Sequence, residues 1–285
     1  MSFKYDKAEL QDFIKRGFHE DVRGGDHTSL ACIPADKQSK ARLLIKDDGV
    51  LAGVEVALAI FKYADPNAKI EVFIEDGATV KYGEVAFIVE CNAQALLRAE
   101  RLALNTMQRM SGIATMTKRY TDEVKDLDVK ILDTRKTTPL MRMFEKWAVY
   151  IGGGTNYRWG LYDWVMIKDN HIDAAGGVVE AIESVAAYQK ANNLNLNVTV
   201  EVRDLEELHK VLSVGKVTRI MLDNFTADLQ REAVAIINKR FEVEASGGIT
   251  METLRAKAET GVDYVSVGAL THSNPSLDMS LKIMG

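Results

Sequence analysis

VTVEVRDLEELHKVLSVGKVTRIMLDNFTADLQREAVAIINKRFEVEASGG (198–248) decides how the second half of the chain is read. Three short apolar runs stand in it: VTVEV (198–202), RIMLD (219–223) and FEVEA (241–245). Each ends in polar residues and leads into a segment of helical periodicity. Short runs rich in β-branched residues, alternating with helical patterns, read as strands of a parallel sheet. Outward from this stretch the same unit recurs. VKILD (129–133) precedes Thr134-Arg135-Lys136, WVMIK (164–168) precedes Asp169-Asn170-His171, and DYVSV (263–267) precedes Gly268. Six β-then-α units in tandem predict a parallel, closed α/β architecture. A doubly wound sheet is the alternative. The barrel is favoured because chemically active residue types follow every strand. In addition, loops of small residues, Ser246-Gly247-Gly248 and Gly268-Ala269, follow the last two, where barrels place a phosphate site. No GxGxxG follows the first strand.

Residues 1–112 read differently. A helix is expected over 6–18, a loop over 20–29, and strands at 41–45, 70–74 and 85–90, with turn chemistry at Asp47-Asp48-Gly49 and Glu75-Asp76-Gly77. A long helix then runs from about Ala93 to Met110 and is expected to stop at Ser111-Gly112. The expected organisation is an N-terminal α/β domain over 1–112, a barrel domain over 113–273, and a C-terminal helix over 274–285 packing back on the N-terminal domain. The stretch DGATVKYGEVAFIVEC (76–91) has the look of a lipoyl or biotinyl carrier hairpin, but Lys81 lies outside any carrier tip motif, and the plain structural reading wins.

A hydrophobic content of 47% over 285 residues supports large packed cores. A net charge of -5 argues against a nucleic-acid partner, which needs a basic field. No apolar run approaches the roughly 18 residues of a membrane span, so no membrane partner is expected. Cys32 and Cys91 sit in no metal-ligand pattern, and MSFKYDKAELQDF (1–13) lacks the apolar core of a signal peptide. Both features point to a cytoplasmic protein.

The candidate chemistry lies at strand ends. Arg135, Lys136, Arg158 and Lys168 would share one mouth in a barrel, and such a cluster in an acidic protein implies an anionic substrate. Each alone reads equally well as a surface charge. Glu201 and Asp223 end adjacent strands; a carboxylate inside an apolar run must be paired or metal-bound. Read on their own, they leave salt bridges and a hard cation such as Mg²⁺ equally open. Ser246, Gly247, Gly248, Gly268 and Ala269 let backbone N–H groups approach phosphate oxygens. His171 and His272 read as capping or hydrogen-bonding residues, and Trp147, Trp159 and Trp164 as core or interface.

Taken together, the chain resembles the quinolinate phosphoribosyltransferases, also called nicotinate-nucleotide pyrophosphorylases (carboxylating). The resemblance rests on EDVRGGDHTS (20–29), ERLALNTMQRMSGIAT (100–115), ILDTRKTTP (131–139), GGGTNYRWGLYDWVMIKDNH (152–171), EVRDLEEL (201–208), IMLDN (220–224), EASGGI (244–249) and GVDYVSVGALTHS (261–273). It implies an N-terminal α/β sandwich domain and an incomplete, seven-stranded parallel α/β barrel. The implied reaction converts quinolinate and phosphoribosyl pyrophosphate, with Mg²⁺, to nicotinate mononucleotide, pyrophosphate and CO₂. Lys136, Lys168, Glu201 and Asp223 are implied as catalytic. Arg135, Lys136, Arg158 and Lys168 would hold carboxylates and phosphates. Glu201 and Asp223 would bind ribose hydroxyls and the metal. Ser246, Gly247, Gly248, Gly268, Ala269 and His272 would surround the 5′-phosphate. Arg101 would reach into the neighbouring subunit's site, which implies a homodimer or an oligomer of dimers.

Two departures stand out. Tyr157 occupies the place of a family histidine, and Leu140 that of a frequent glycine. If Tyr157 faces the substrate, the site has one fewer potential cation; otherwise it packs against Trp159 or Trp164. The rival functions are a Schiff-base aldolase or sugar-phosphate isomerase using Lys168, and a retargeted relative like the molybdenum-transport-associated branch of the family.

Overall fold

The computed structural model describes residues 3–284. In chain order it contains α1 (Lys7–Val22), α2 (His27–Cys32), β1 (Gln38–Ile45), β2 (Gly49–Val50), α3 (Val54–Ala64), β3 (Lys69–Val72), β4 (Thr79–Val80), β5 (Val85–Asn92) and α4 (Ala93–Glu123). Then follow β6 (Lys130–Leu132), α5 (Arg142–Ile151), β7 (Val165–Ile167), α6 (Asp169–Ala175), α7 (Val178–Ala191), β8 (Val198–Val202) and α8 (Leu205–Val214). The last elements are β9 (Arg219–Asp223), α9 (Ala227–Ile237), β10 (Glu242–Ser246), α10 (Met251–Ala258), β11 (Tyr264–Ser266), α11 (Ala269–His272) and β12 (Met279–Ile283). Contacts divide the chain into two units. One holds the residues up to Lys118, Thr138–Gly153 and the segment from Ser273; the other holds Arg119–Thr137 and Gly154–His272.

The first unit is built on an antiparallel sheet in the order β12-β1-β5-β3. Period-two alternation in β1 buries Ala41, Leu43 and Ile45, and Phe87 of β5 meets Phe61 of α3 edge to face at 6.0 Å. Four expectations are corrected here. Glu20–Val22 belong to α1 and His27–Ser29 open α2, because the Asp26 carboxylate caps that helix by accepting from Ser29 N at 3.0 Å. Ser111-Gly112 does not end α4. Ser111 is buried with its hydroxyl bonded to the Ala52 backbone, and a side chain at Gly112 would lie 2.1 Å from Pro275 O. That glycine marks close approach rather than a stop. Residues 138–153 join this unit. Glu145 of α5 is fully buried and bonded to Arg109 at 2.8 Å, and Trp147 stacks on Tyr5 with ring centroids 4.6 Å apart. Finally, the expected C-terminal helix is the strand β12. Leu277, Met279 and Leu281 are buried at alternate positions, and Ala41 pairs with Ile283.

The second unit carries all six strands read from the sequence, in the parallel order β6-β11-β10-β9-β8-β7. The first strand thus pairs with the last, which an open doubly wound sheet does not do. A single bridge, Leu132 to Thr155, is what stands for the seventh strand, so the barrel is incomplete. One face of the strands carries Ile167, Val200, Ile220, Leu222, Val243, Ala245 and Val265, all buried. The other face, offset by one residue, carries Met166, Thr199, Glu201, Arg219, Met221, Asp223, Glu242, Glu244, Ser246, Tyr264 and Ser266. The apolar face forms the core, and the polar face lines the interior.

One loop of the first unit makes a testable contribution to stability. Gly53 has no side chain to cap α3, and the Asp76 carboxylate does so instead, accepting from Val54 N at 2.9 Å. Burial outweighs these backbone bonds and pushes the Asp76 carboxyl up from 3.8 to about 6. A folded value above the unfolded one means that this group adds stability as pH falls through about 6 towards 4, and loses it as pH rises. Wild type should therefore gain on Asp76→Asn by on the order of 2–3 kcal/mol between about pH 7 and pH 4 in urea unfolding. A pH-independent difference between the two proteins would refute this.

Candidate active site

Because the strands are parallel, their C-terminal ends open on one side. There they surround a cavity of about 830 Å³ within the second unit. Every site residue expected from the sequence lines it except Arg101. Arg101 lines a different cavity, of about 550 Å³, in the first unit, beside Glu9, Asp12, Glu20 and Asp21.

Four cations come from the early strands. The loop after β6 brings Arg135 and Lys136, and the Lys136 carbonyl accepts from Thr271 Oγ1 at 2.7 Å. Arg135 Nε is buried without a hydrogen-bond partner among the described residues. A buried guanidinium N–H left open in this way is a docking point for an acceptor on a ligand. Arg158 is 9% exposed, with Nη1 3.4 Å from Trp164 O and no ion pair among the described residues. Burial, followed by repulsion from Arg135, lowers its pKa from the ordinary arginine value. Lys168 directly follows β7, and its Nζ sits 3.1 Å from Glu201 Oε2.

The carboxylates come from the middle strands. Glu201 is 8% exposed, and Asp223 accepts from Asn224 Nδ2 at 2.7 Å. One of the two is therefore already in an ion pair, as the salt-bridge reading of these residues requires, yet both still face the cavity. No group of three or more His, Cys, Asp or Glu side chains able to hold a metal is present among the described residues.

The later strands supply small residues. Gly247 has φ +87° and Gly248 φ +61°. Gly247 packs so closely on Asn224 that an added Cβ would lie 2.2 Å from its Oδ1. A Cβ at Gly268 would lie 3.0 Å from Lys136 Cδ and 3.2 Å from His272 Nε2. Glycine there lets the β11 end, Lys136 and His272 share one corner. His171 takes the capping role expected of it, with Nδ1 accepting from Lys168 N at 3.0 Å.

Tyr157 lines the cavity floor but is 8% exposed. Its ring meets Trp164 edge to face at 5.5 Å, and its hydroxyl lies 2.6 Å from Thr199 Oγ1. Burial, then the Glu244 charge, raises the phenol's pKa. The ring thus packs against Trp164 while the residue still lines the cavity, and a phenol at this position adds no cation.

Residues 113–282 match the family described as quinolinate phosphoribosyl transferase, C-terminal domain, and residues 26–111 match its N-terminal domain. The chain belongs to the quinolinate phosphoribosyltransferase family. It is 48% identical to a chloroplastic nicotinate-nucleotide pyrophosphorylase (carboxylating) of Arabidopsis thaliana, over 96% of this chain and 83% of that one. It is 42% identical to a probable nicotinate-nucleotide pyrophosphorylase (carboxylating) of Bacillus subtilis, over 96% of this chain and 93% of that one. The crystal structure of NadC from Streptococcus pyogenes superposes with a TM-score of 0.92 at 37% identity and covers both chains fully.

The family's mouth here includes residues that sequence reasoning missed: Thr134, Met166, Met221, Asn224, Ile249, Thr250 and Ser266. Asn224 and Thr250 follow strands and were findable by the strand-end rule. Met166, Met221 and Ser266 are interior positions of strands, visible only once the register is known.

The Gly247–Asn224 contact gives a differential test. Gly248 has open space where a Cβ would go, so Gly248→Ala should cost only backbone strain, about 1 kcal/mol. Gly247→Ala should cost about 1–3 kcal/mol more, by overpacking against Asn224. Equal losses in denaturant unfolding would show that the contact is not tight.

Proposed function

We propose that this chain transfers the phosphoribosyl group of phosphoribosyl pyrophosphate to quinolinate, releasing pyrophosphate and CO₂ and forming nicotinate mononucleotide for NAD synthesis. The observation that carries this reading is one cavity holding four cations, two carboxylates and two glycine loops, in a chain of net charge -5. Both substrates are polyanions, and the site has the sign and size to hold them together.

Arg135, Lys136, Arg158 and Lys168 would bind the quinolinate carboxylates and the phosphates. The Ser246–Gly248 loop, with Gly268, Ala269 and His272, would hold the 5′-phosphate through backbone N–H groups. Glu201 and Asp223 would accept from the ribose hydroxyls. As the C1–pyrophosphate bond breaks, positive charge grows on the ribose, and these carboxylates favour it. The pyridine nitrogen attacks C1 and becomes cationic. The bond from the ring to the 2-carboxylate then breaks, CO₂ leaves, and the electron pair left at C2 takes a proton. Much of the acceleration would come from orienting two charged reactants.

Mg²⁺ fits as a partner of the pyrophosphate rather than as a resident of an all-protein cage. Glu201 and Asp223 are two carboxylates without a third, and Mg²⁺ is commonly held by one or two carboxylates plus substrate phosphates. Bound there, it would neutralise the leaving group's charge. Asp223, free of the Lys168 pair, is the better placed ligand. The Schiff-base alternative is less well supported, because Lys168 is engaged with Glu201 and lacks the apolar pocket that activates such a lysine.

The protein is also read as a cytoplasmic homodimer. Cys32 and Cys91 are both unbridged, as in a reducing compartment. No helix among the described residues is long and apolar enough to cross a membrane. Support for the dimer is that Arg101, an arginine the family resemblance assigns to the site, lines another cavity.

Two measurements test this. Quinolinate should be turned over, and nicotinate, lacking one carboxylate, should show a kcat/KM roughly 10- to 100-fold lower or worse; equal turnover would sink the assignment. Mixing inactive Arg101→Ala with inactive Lys136→Ala should restore some activity through hybrid sites. No recovery despite demonstrated subunit exchange would remove the dimeric reading.

A further inference from the structure

Asn224 stands between the Asp223 carboxylate and the Ser246–Gly248 loop, and the reaction described above gives it no role. It follows Asp223, the last residue of β9, and lines the cavity. Successive side chains of a strand point to opposite faces, so the residue after Asp223 would ordinarily turn away from it. The backbone of Asn224 breaks that alternation. Its φ is +55°, in the left-handed region that asparagine enters more readily than most residues. The turn brings the amide back to Asp223, and Nδ2 donates to Asp223 Oδ2 at 2.7 Å.

The neighbours of the turn hold it in place. Asn224 N donates to Ser246 O at 3.0 Å, just beyond the Asp223–Ser246 pair that ends the β9–β10 ladder. Phe225, which follows, is buried, and its carbonyl accepts from Lys257 Nζ. Gly247 packs against the amide so closely that an added Cβ would lie 2.2 Å from Oδ1 and 2.6 Å from Cγ. An ionised carboxylate only accepts, so the amide nitrogen faces Asp223 and the amide oxygen faces Gly247.

The two carboxylates of the mouth are thus held in different ways. The Lys168 ammonium takes Glu201 Oε2 at 3.1 Å and offsets its charge. A neutral amide takes Asp223 Oδ2, which fixes the carboxylate and leaves its charge whole. Among the described residues Asp223 makes no ion pair, and no donor reaches its other oxygen, Oδ1.

We propose that Asn224 is a positioning residue for the phosphoribosyl pyrophosphate half of the reaction: its amide holds one oxygen of Asp223 so that the other, still fully charged, is presented to the ribose hydroxyls and Mg²⁺. The proposal rests on the reading that Asp223 serves that substrate. Without the amide the carboxylate is free to rotate, and binding must then pay to orient it.

The test is titration calorimetry on the full-length protein with Asn224→Gly, Asp223→Ala and the double variant. Glycine keeps the left-handed turn and removes only the side chain. Phosphoribosyl pyrophosphate is titrated with Mg²⁺ in the presence of benzene-1,2-dicarboxylate. This compound carries both carboxylates of quinolinate but no ring nitrogen to attack C1, so binding is read without turnover. Quinolinate is titrated separately. Asn224→Gly should raise the Kd for phosphoribosyl pyrophosphate about tenfold, as expected for a lost hydrogen bond to a charged group, and leave that for quinolinate within about twofold. Asp223→Ala should weaken phosphoribosyl pyrophosphate at least as much. The double variant should be no weaker than Asp223→Ala, because the amide acts through that carboxylate. A merely structural role predicts a lower melting temperature with the two Kd values unmoved or moved together, and either result overturns the proposal. So does a double variant weaker than Asp223→Ala, which would mean that the amide itself touches the substrate. If Asp223→Ala leaves the Kd for phosphoribosyl pyrophosphate unchanged, the site reading fails and takes the proposal with it. If Asp223→Ala raises it and Asn224→Gly does not, the proposal alone fails.

Discussion

The pairing of β6 with β11 is the contact on which the site depends. Ile131 lies opposite Val265, so the first strand of the second unit is bonded to its last. Only this closure brings the Arg135-Lys136 loop beside Gly268 and His272, which the Thr271–Lys136 bond then fastens. Because all the strands are parallel, no side chain needs to reach far. Cations from the early strands, carboxylates from the middle ones and small-residue loops from the late ones meet at one mouth.

Closure also creates an electrostatic problem that the interior answers in layers. At the rim, Lys168 and Glu201 neutralise each other. Below it, Glu244 and Glu242 offset Arg219, whose guanidinium lies against the rings of Tyr264, Tyr157 and Trp164. Buried charges of this kind are destabilising when one partner is removed, by about 3–5 kcal/mol. The polar interior is thus held as a set, and the apolar face of the same strands supplies the core. One alternation of residues produces both.

Much of this was legible in the residues. The six strands were readable because each is a short apolar run ending in a polar residue, and the end of a strand is where a barrel places its chemistry. Arg135, Lys136, Lys168, Glu201 and Asp223 were found that way. What failed were signals with two meanings. Gly112 reads as a helix stop, but it serves close packing against Pro275 inside an unbroken helix. MSLKI (279–283) is too short for its period to be separated from a helix, and only pairing with β1 decides it. Glu244 could not be told from Glu242 or Glu201 without the register that places it in the interior. Leu140 has φ +65°, a left-handed conformation that glycine would adopt with less strain, yet no neighbouring residue announced it.

The strand β12 has a consequence for how the chain comes off the ribosome. β1 lies between β5 and β12, so until residues 279–283 emerge it has an open edge of N–H and C=O groups. The first unit is encoded at both ends of the chain and in the segment 138–153, while the second lies between. N-terminal-first domain folding, the ordinary vectorial order, cannot complete the first unit before the barrel has been synthesised. The nascent protein must carry an unfinished sheet through most of translation. Trimming or masking residues 279–283 would leave that sheet open in the mature protein.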